Sequence, residues 1–105
     1  MKRVMVRYKT KPDRARENEQ LIESVFQELQ LSRPEGFRYA SFKLGDGVSF
    51  VHISCIETAD GSNPLTQSAA FKSFQAGIKD RCEEQPVATD VSEIGSYRLF
   101  GWPTG

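Results

Sequence analysis

GFRYASFKLGDGVSFVHISCIE, residues Gly36 to Glu57, carries two runs rich in β-branched and aromatic residues on either side of Gly45-Asp46-Gly47. An Asp-Gly pair between such runs is a strong hairpin signal, because a tight hairpin turn needs residues that tolerate positive φ. With Asp46 and Gly47 at the centre of a type I′ turn, Leu44 pairs with Ser49, Phe42 with Val51, Ser41 with His52, Ala40 with Ile53 and Tyr39 with Ser54.

Side chains alternate along a strand, so this register divides the hairpin into two faces. One carries Ala40, Phe42, Leu44, Val51, Ile53 and Cys55 and is wholly apolar. The other carries Phe37, Tyr39, Ser41, Lys43, Phe50, His52 and Ser54, mixing rings and hydroxyls with the only histidine of the chain. A three-residue loop would pair Phe42 with Phe50 and Ala40 with His52 and mix the faces, so their separation supports the Asp-Gly turn. The apolar face reads as core beneath helices. The mixed face is too aromatic for solvent and too polar for plain core, which is the composition of a ligand cavity.

Outward from the hairpin, Lys2 to Lys9 alternates as a first strand, with Val4, Val6 and Tyr8 on one side and Arg3, Met5, Arg7 and Lys9 on the other. Pro12-Asp13 breaks it and offers a cap to an amphipathic helix over 13–31, whose stripe is Ala15, Leu21, Ile22, Val25, Phe26 and Leu29. The charged positions Arg14, Arg16, Glu19, Glu23 and Glu28 read as its solvated surface. Beyond the hairpin, Asn63 caps a helix that begins at Pro64, where a missing N–H costs nothing. Its stripe runs Leu65, Ala69, Ala70, Phe71, Phe74, Ile78, Cys82, with an interruption expected near Ser68 and an end at Gln85-Pro86. Val87 to Phe100 is a last extended segment, divided at Gly95.

The order is β-α-β-β-α-β, a ferredoxin-like α+β fold: one antiparallel sheet with two helices on one face. A chain of 105 residues is read as a single domain, 1–105. Two helices cover one sheet face, assigned to Val4, Val6, Ala40, Phe42, Val51 and Ile53. The opposite face, with Met5, Phe37, Tyr39 and Phe50, then needs a cover, and a second copy related by a two-fold axis supplies one. The expectation is a homodimer packed sheet to sheet, with His52 between or beside the sheets.

Fourteen basic and fourteen acidic residues cancel, which argues against a nucleic-acid partner. No apolar run approaches the roughly 20 residues of a membrane span, and MKRVMVRYK lacks the apolar core of a secretory signal. The expected location is cytoplasmic, with Cys55 and Cys82 as reduced thiols.

Together with the order of elements, Gly36-Phe37 opening the second strand, SAAFKSF (Ser68 to Phe74) and GSYRLF (Gly95 to Phe100) resemble the antibiotic-biosynthesis-monooxygenase-like dimeric α/β barrels. The resemblance implies two protomers packed into a barrel, each with a cavity between its sheet and helices. Members of that group include cofactor-independent oxygenases of polycyclic phenols or quinols, haem-degrading enzymes, isomerases and proteins of no known activity. The haem-degrading branch uses an Asn on the first strand and a Trp and a His on the second helix. Arg7, Leu65 and Gln75 stand at those positions, and none matches. Polyketide-type oxygenases of the group use a Trp and a Tyr, but the only tryptophan here, Trp102, lies in the tail.

The residues themselves offer His52 as a base and Arg7 as the holder of a developing oxyanion, the two sharing the mixed face if strands one and three pair. Tyr39, Ser41, Phe50 and Ser54 would bind the substrate. The competing reading has His52 bonded to Ser41 or Ser54, Arg7 paired with a carboxylate of a partner chain, and the rings serving as dimer packing. His52 and Cys55 alternate on one strand and cannot form a thiolate–imidazole pair. One histidine and two separated cysteines are poor zinc ligands. The twelfth position from Asp60 is Phe71 rather than Glu, so no calcium loop is formed. Two functions are expected in competition: oxygenation of a small aromatic or quinol-type molecule without metal, flavin or other cofactor, or a non-catalytic dimeric ligand-binding or stress-response accessory role. A muconolactone-type isomerase is a weaker third.

Overall fold

The structure, a computed structural model, describes residues 1–99. Strand β1 (Lys2–Thr10) leads through a 3-10 turn, Pro12–Arg14, into helix α1 (Ala15–Ser32). Strands β2 (Phe37–Lys43) and β3 (Ser49–Ile56) form the hairpin. A second 3-10 turn, Pro64–Gln67, is followed by α2 (Ala69–Gln75), α3 (Ile78–Arg81) and β4 (Cys82–Asp90). The sheet order is β2-β3-β1-β4 and all neighbours are antiparallel, so the ferredoxin-like α+β architecture is as expected.

The hairpin register also agrees: Ser41 pairs with His52 and Tyr39 with Ser54. The turn that sets it is different. Gly47 takes φ 78°, while Asp46 stays out of the left-handed region. Gly47 N–H donates to the Leu44 carbonyl at 3.0 Å, and Leu44 N–H donates to the Ser49 carbonyl at 2.8 Å. The loop is therefore one pair wider than a type I′ turn, and its even length preserves the register. Asp46 is used as an acceptor instead: its carboxylate takes bonds from Val48 N–H (3.0 Å), Ser49 N–H (2.8 Å) and Ser49 Oγ (2.5 Å). Those bonds lower its carboxyl to about 2.

The two faces are exchanged relative to expectation. Tyr8, Phe50, His52, Val25, Leu65, Phe74 and Cys82 are buried, so the mixed face lies beneath the helices. The apolar face is the bare one, and Ile53 is exposed. The cause is the β1 pairing: Val6 stands opposite His52 and Tyr8 opposite Phe50, whereas Met5 stands opposite Ile53 and Arg7 opposite Val51. The side of β1 bearing Val4, Val6 and Tyr8 does face the helices, but it brings the ring-and-hydroxyl face of the hairpin with it. That face can be buried because its polar atoms bond one another and its rings stack on helix rings, as Phe26 does on Tyr39 (5.2 Å) and Phe74 beside His52 (5.5 Å).

The second helical region ends earlier than its apolar stripe implies. Asn63 Oδ1 accepts from Leu65 N–H (2.9 Å), as expected of the cap, and the interruption expected near Ser68 is present, Ser68 Oγ starting a new helix by accepting from Phe71 N–H (2.9 Å). Cys82 already belongs to β4, and Pro86 lies inside that strand. An edge strand tolerates a proline, and the β1–β4 ladder shifts register between Arg7 and Lys9 where Pro86 would pair. Regular pairing ends at Asp90; Val91 N–H still donates to the Arg3 carbonyl (3.0 Å). The strand expected over Val87 to Phe100 is thus replaced by an earlier one, and Ile94, Tyr97 and Leu99 are exposed without regular structure. Phe100 and Trp102 lie outside the described residues.

Candidate functional site

His52 sits at the centre of the buried face, 5% exposed. Its Nε2 is 2.7 Å from the Tyr8 hydroxyl. Its Nδ1 is 2.6 Å from Ser41 Oγ and 2.9 Å from the Tyr39 hydroxyl. Behind Tyr8 the chain of bonds continues: Asn18 Nδ2 donates to the Tyr8 hydroxyl at 2.8 Å, and Arg81 Nε donates to Asn18 Oδ1 at 3.1 Å. Arg81 also donates through Nη2 to the Phe74 carbonyl at 2.5 Å and lies over the Phe74 ring, 5.2 Å from its centroid. Asn18 and Arg81 are 0% and 1% exposed, so this polar line runs through the core between the sheet and the helices. No described buried side-chain nitrogen or oxygen lacks a partner.

Burial holds the imidazole and the two phenols in their uncharged forms. It lowers the His52 imidazole from 6.5 to about 4, so the ring is neutral at physiological pH. It pushes the Tyr39 phenol to about 12, against a bond with Ser41 that works the other way. Tyr8 is raised well above the usual phenol range by burial, opposed by its bond from Asn18. Burial draws the Arg81 guanidinium down, and Glu17 partly restores it. Two phenols, an imidazole and a serine hydroxyl in contact form a line along which a proton can pass without any one group holding net charge.

The line borders a cavity of about 420 Å³ between the sheet and α2, with Tyr8, Tyr39, His52, Phe71, Phe74 and Ser54 in its wall. Its volume is in the range of small-molecule sites. Lys2, Asn63 and Gln75 are the polar side chains that complete the lining. Ser41 does not line this cavity. It opens on the other side, into grooves between α1 and the β2 edge beside Glu23 and Ile22.

Of the residues expected from sequence, His52, Tyr39, Ser41 and Ser54 are brought together. Phe50 is 1% exposed and stacks on Tyr8 (5.5 Å) as core, outside the cavity wall. Arg7 projects from the opposite face of the sheet, since it pairs with Val51 while His52 pairs with Val6. An oxyanion beside His52 is out of its reach within one protomer. His52 is likewise not between two sheets but between its own sheet and helices. Sequence reading missed Tyr8, Asn18 and Arg81 as site residues. Asn18 was visible in principle: 15, 18, 22, 25 and 29 form a continuous three- and four-residue stripe, so a polar residue at 18 had to be buried and bonded. Arg81 falls on the same kind of spacing after Phe74 and Ile78.

No protein-family model matches the chain, and no curated protein matches it in sequence. Solved structures do match in fold. Rv0793 from Mycobacterium tuberculosis superimposes with a TM-score of 0.72 at 14% identity, over 90% of this chain and 96% of that one. A structure described as an antibiotic biosynthesis monooxygenase gives 0.69 at 14% identity, over 90% and 100%. SnoaB, a cofactor-independent oxygenase from Streptomyces nogalater in its N63A form, gives 0.65 at 13% identity, over 90% and 94%. The order of elements, the sheet and these superpositions agree that the chain has the fold of the antibiotic-biosynthesis-monooxygenase-like proteins.

Proposed function

We propose that the protein is a cofactor-independent monooxygenase acting on a small phenol or quinol-type aromatic molecule held in the cavity against Tyr8, Tyr39 and His52. The observation that carries the reading is the phenol–imidazole–hydroxyl line with one end in an aromatic-walled cavity and the other in a separate groove. The name of SnoaB supports the reaction class. Deprotonation makes an electron-rich ring a reductant for oxygen. The balance is one ring C–H and the phenol O–H plus O2 giving the two C=O groups of a quinone plus water, and the substrate supplies all four electrons.

His52 is the base, acting through Tyr8. With the imidazole at about 4, full transfer from a phenol near 10 would be uphill by about 8 kcal/mol. A relay avoids that charge: the substrate hydroxyl gives its proton to Tyr8 as Tyr8 gives its own to Nε2, Nδ1 gives its proton to Ser41, and Ser41 releases one to water in the outer groove. Ser54 and Tyr39 hold the substrate. The bare face, with Met5, Val51, Ile53 and Val87 around Arg7, is the surface that joins two copies into a homodimer.

The test is oxygen uptake with a panel of phenols and hydroquinones, using protein treated with chelator and assayed without flavin. One oxygen consumed per substrate, lost in His52→Ala, supports the reading. Tight binding of the same compounds without oxygen uptake would replace it with a ligand-binding module.

A further inference from the structure

The histidine at the centre of the site has two possible neutral forms, and the residues behind Tyr8 choose between them. A guanidinium can only donate hydrogen bonds. Arg81 Nε, 3.1 Å from the Asn18 side chain, therefore requires the carbonyl oxygen of that amide to face it. The NH2 group of Asn18 then points at Tyr8 and donates at 2.8 Å. With that bond accepted, the hydroxyl proton of Tyr8 is directed at its other polar neighbour, His52 Nε2, at 2.7 Å. Nε2 must accept, so the ring proton sits on Nδ1 and is shared between Ser41 and Tyr39. In water a neutral imidazole favours the proton on Nε2, so the fold reverses the intrinsic preference.

We infer that Arg81 and Asn18 are positioning residues that lock His52 in the Nδ1–H form, leaving the nitrogen nearer the cavity phenol free to take a proton and the opposite nitrogen ready to release one toward Ser41. Neither residue lines the cavity; both act through Tyr8. Every bond from Arg81 to His52 carries its hydrogen in the same direction, because a buried cation to which no carboxylate among the described residues is bonded stands at one end. The polarity of the line is a property of the chain whether or not the protein is an oxygenase; its use in turnover rests on the function proposed above.

Reversing the polarity takes a single isosteric change. In Asn18→Asp the side chain only accepts. One oxygen would keep the bond from Arg81 and the other would receive the Tyr8 hydroxyl proton, so Tyr8 would accept from Nε2–H. The variant also places a counter-ion beside the buried Arg81. His52 is the only histidine, so the ring nitrogens of uniformly 15N-labelled protein can be assigned without ambiguity at neutral pH. The expected result is Nδ1–H in the native protein and in Ser41→Ala, and Nε2–H in Asn18→Asp. Nε2–H in the native protein, an unchanged form in Asn18→Asp, or a switch in Ser41→Ala would each overturn the inference. The native and Ser41→Ala spectra decide it even if Asn18→Asp fails to fold. Absence of oxygen uptake beside the expected spectra would remove the enzymatic reading and leave the inference standing.

Discussion

Between pH 6.5 and 4, acidification should destabilise this protein chiefly through His52. His52 is buried and its imidazole is lowered from 6.5 to about 4 by loss of solvent. Between those values the unfolded chain binds a proton that the folded chain refuses. The stability contribution is therefore complete above pH 6.5 and is lost as pH falls toward 4. Its full size is about 3 kcal/mol at 1.36 kcal/mol per pH unit. About 1.4 kcal/mol is gone by pH 5.5 and about 2.5 by pH 4.5. The assay is urea denaturation of the native protein and of His52→Gln, whose amide does not titrate, at pH 7.5, 5.5 and 4.5. Subtracting one pH series from the other removes the carboxylates, which titrate in both. The gap should close by roughly these amounts as pH falls, and an NMR titration of the ring should show a midpoint near 4. Parallel stability curves for the two proteins from pH 7.5 to 4.5, or a ring midpoint near 6.5, would refute the reasoning.

The same hydrogen-bond line predicts unequal costs for its two phenols. Tyr8→Phe strips partners from both Asn18 and His52 and should cost roughly 2–4 kcal/mol in urea denaturation, whereas Tyr39→Phe leaves Ser41 on Nδ1 and should cost about 1. Gly36 has φ 70° and a Cβ there would stand 3.0 Å from the Glu57 carbonyl oxygen and from Thr58 backbone atoms. Gly36→Ala should therefore lower stability by more than about 2 kcal/mol, against about 1 for Gly47→Ala, which is strained but meets nothing. On the bare face proposed to join two copies, Ile53→Asp should give single protomers in sedimentation while leaving the far-ultraviolet spectrum unchanged; a sedimentation coefficient equal to that of the native protein would refute that interface.

The sheet and the hairpin register were legible because alternation and an even loop leave few arrangements open. Which hairpin face turns toward the helices was not, since both faces carry enough apolar surface and only the pairing of Val6 with His52 settles it. The wholly apolar run Ala40, Phe42, Val51, Ile53 looked like core on hydrophobicity alone, but buried rings with matched hydroxyls compete with it on equal terms once their polar atoms are bonded. The interruption near Ser68 was legible, and Ser68 marks it by capping the helix that follows. The position of β4 was hidden by Pro86, which reads as a terminator and is accommodated by an edge and a register shift. For the candidate site, His52, Tyr39, Ser41 and Ser54 followed from alternation, while Arg7 did not because parity on β1 was joined to the wrong side of β3. Asn18 and Arg81 interrupt apolar stripes with polar side chains, and hydropathy patterning passes over such positions although their burial demands partners.

Because the sheet turns its hydroxyls inward and its aliphatic side outward, the hydrogen-bonded line through His52 is complete within one protomer. Association through the outer side would then govern persistence, solubility and lifetime rather than chemistry. Dilution to separated subunits should leave the ring environment of His52 as it was, and any loss of turnover on dilution should follow the slower course of unfolding.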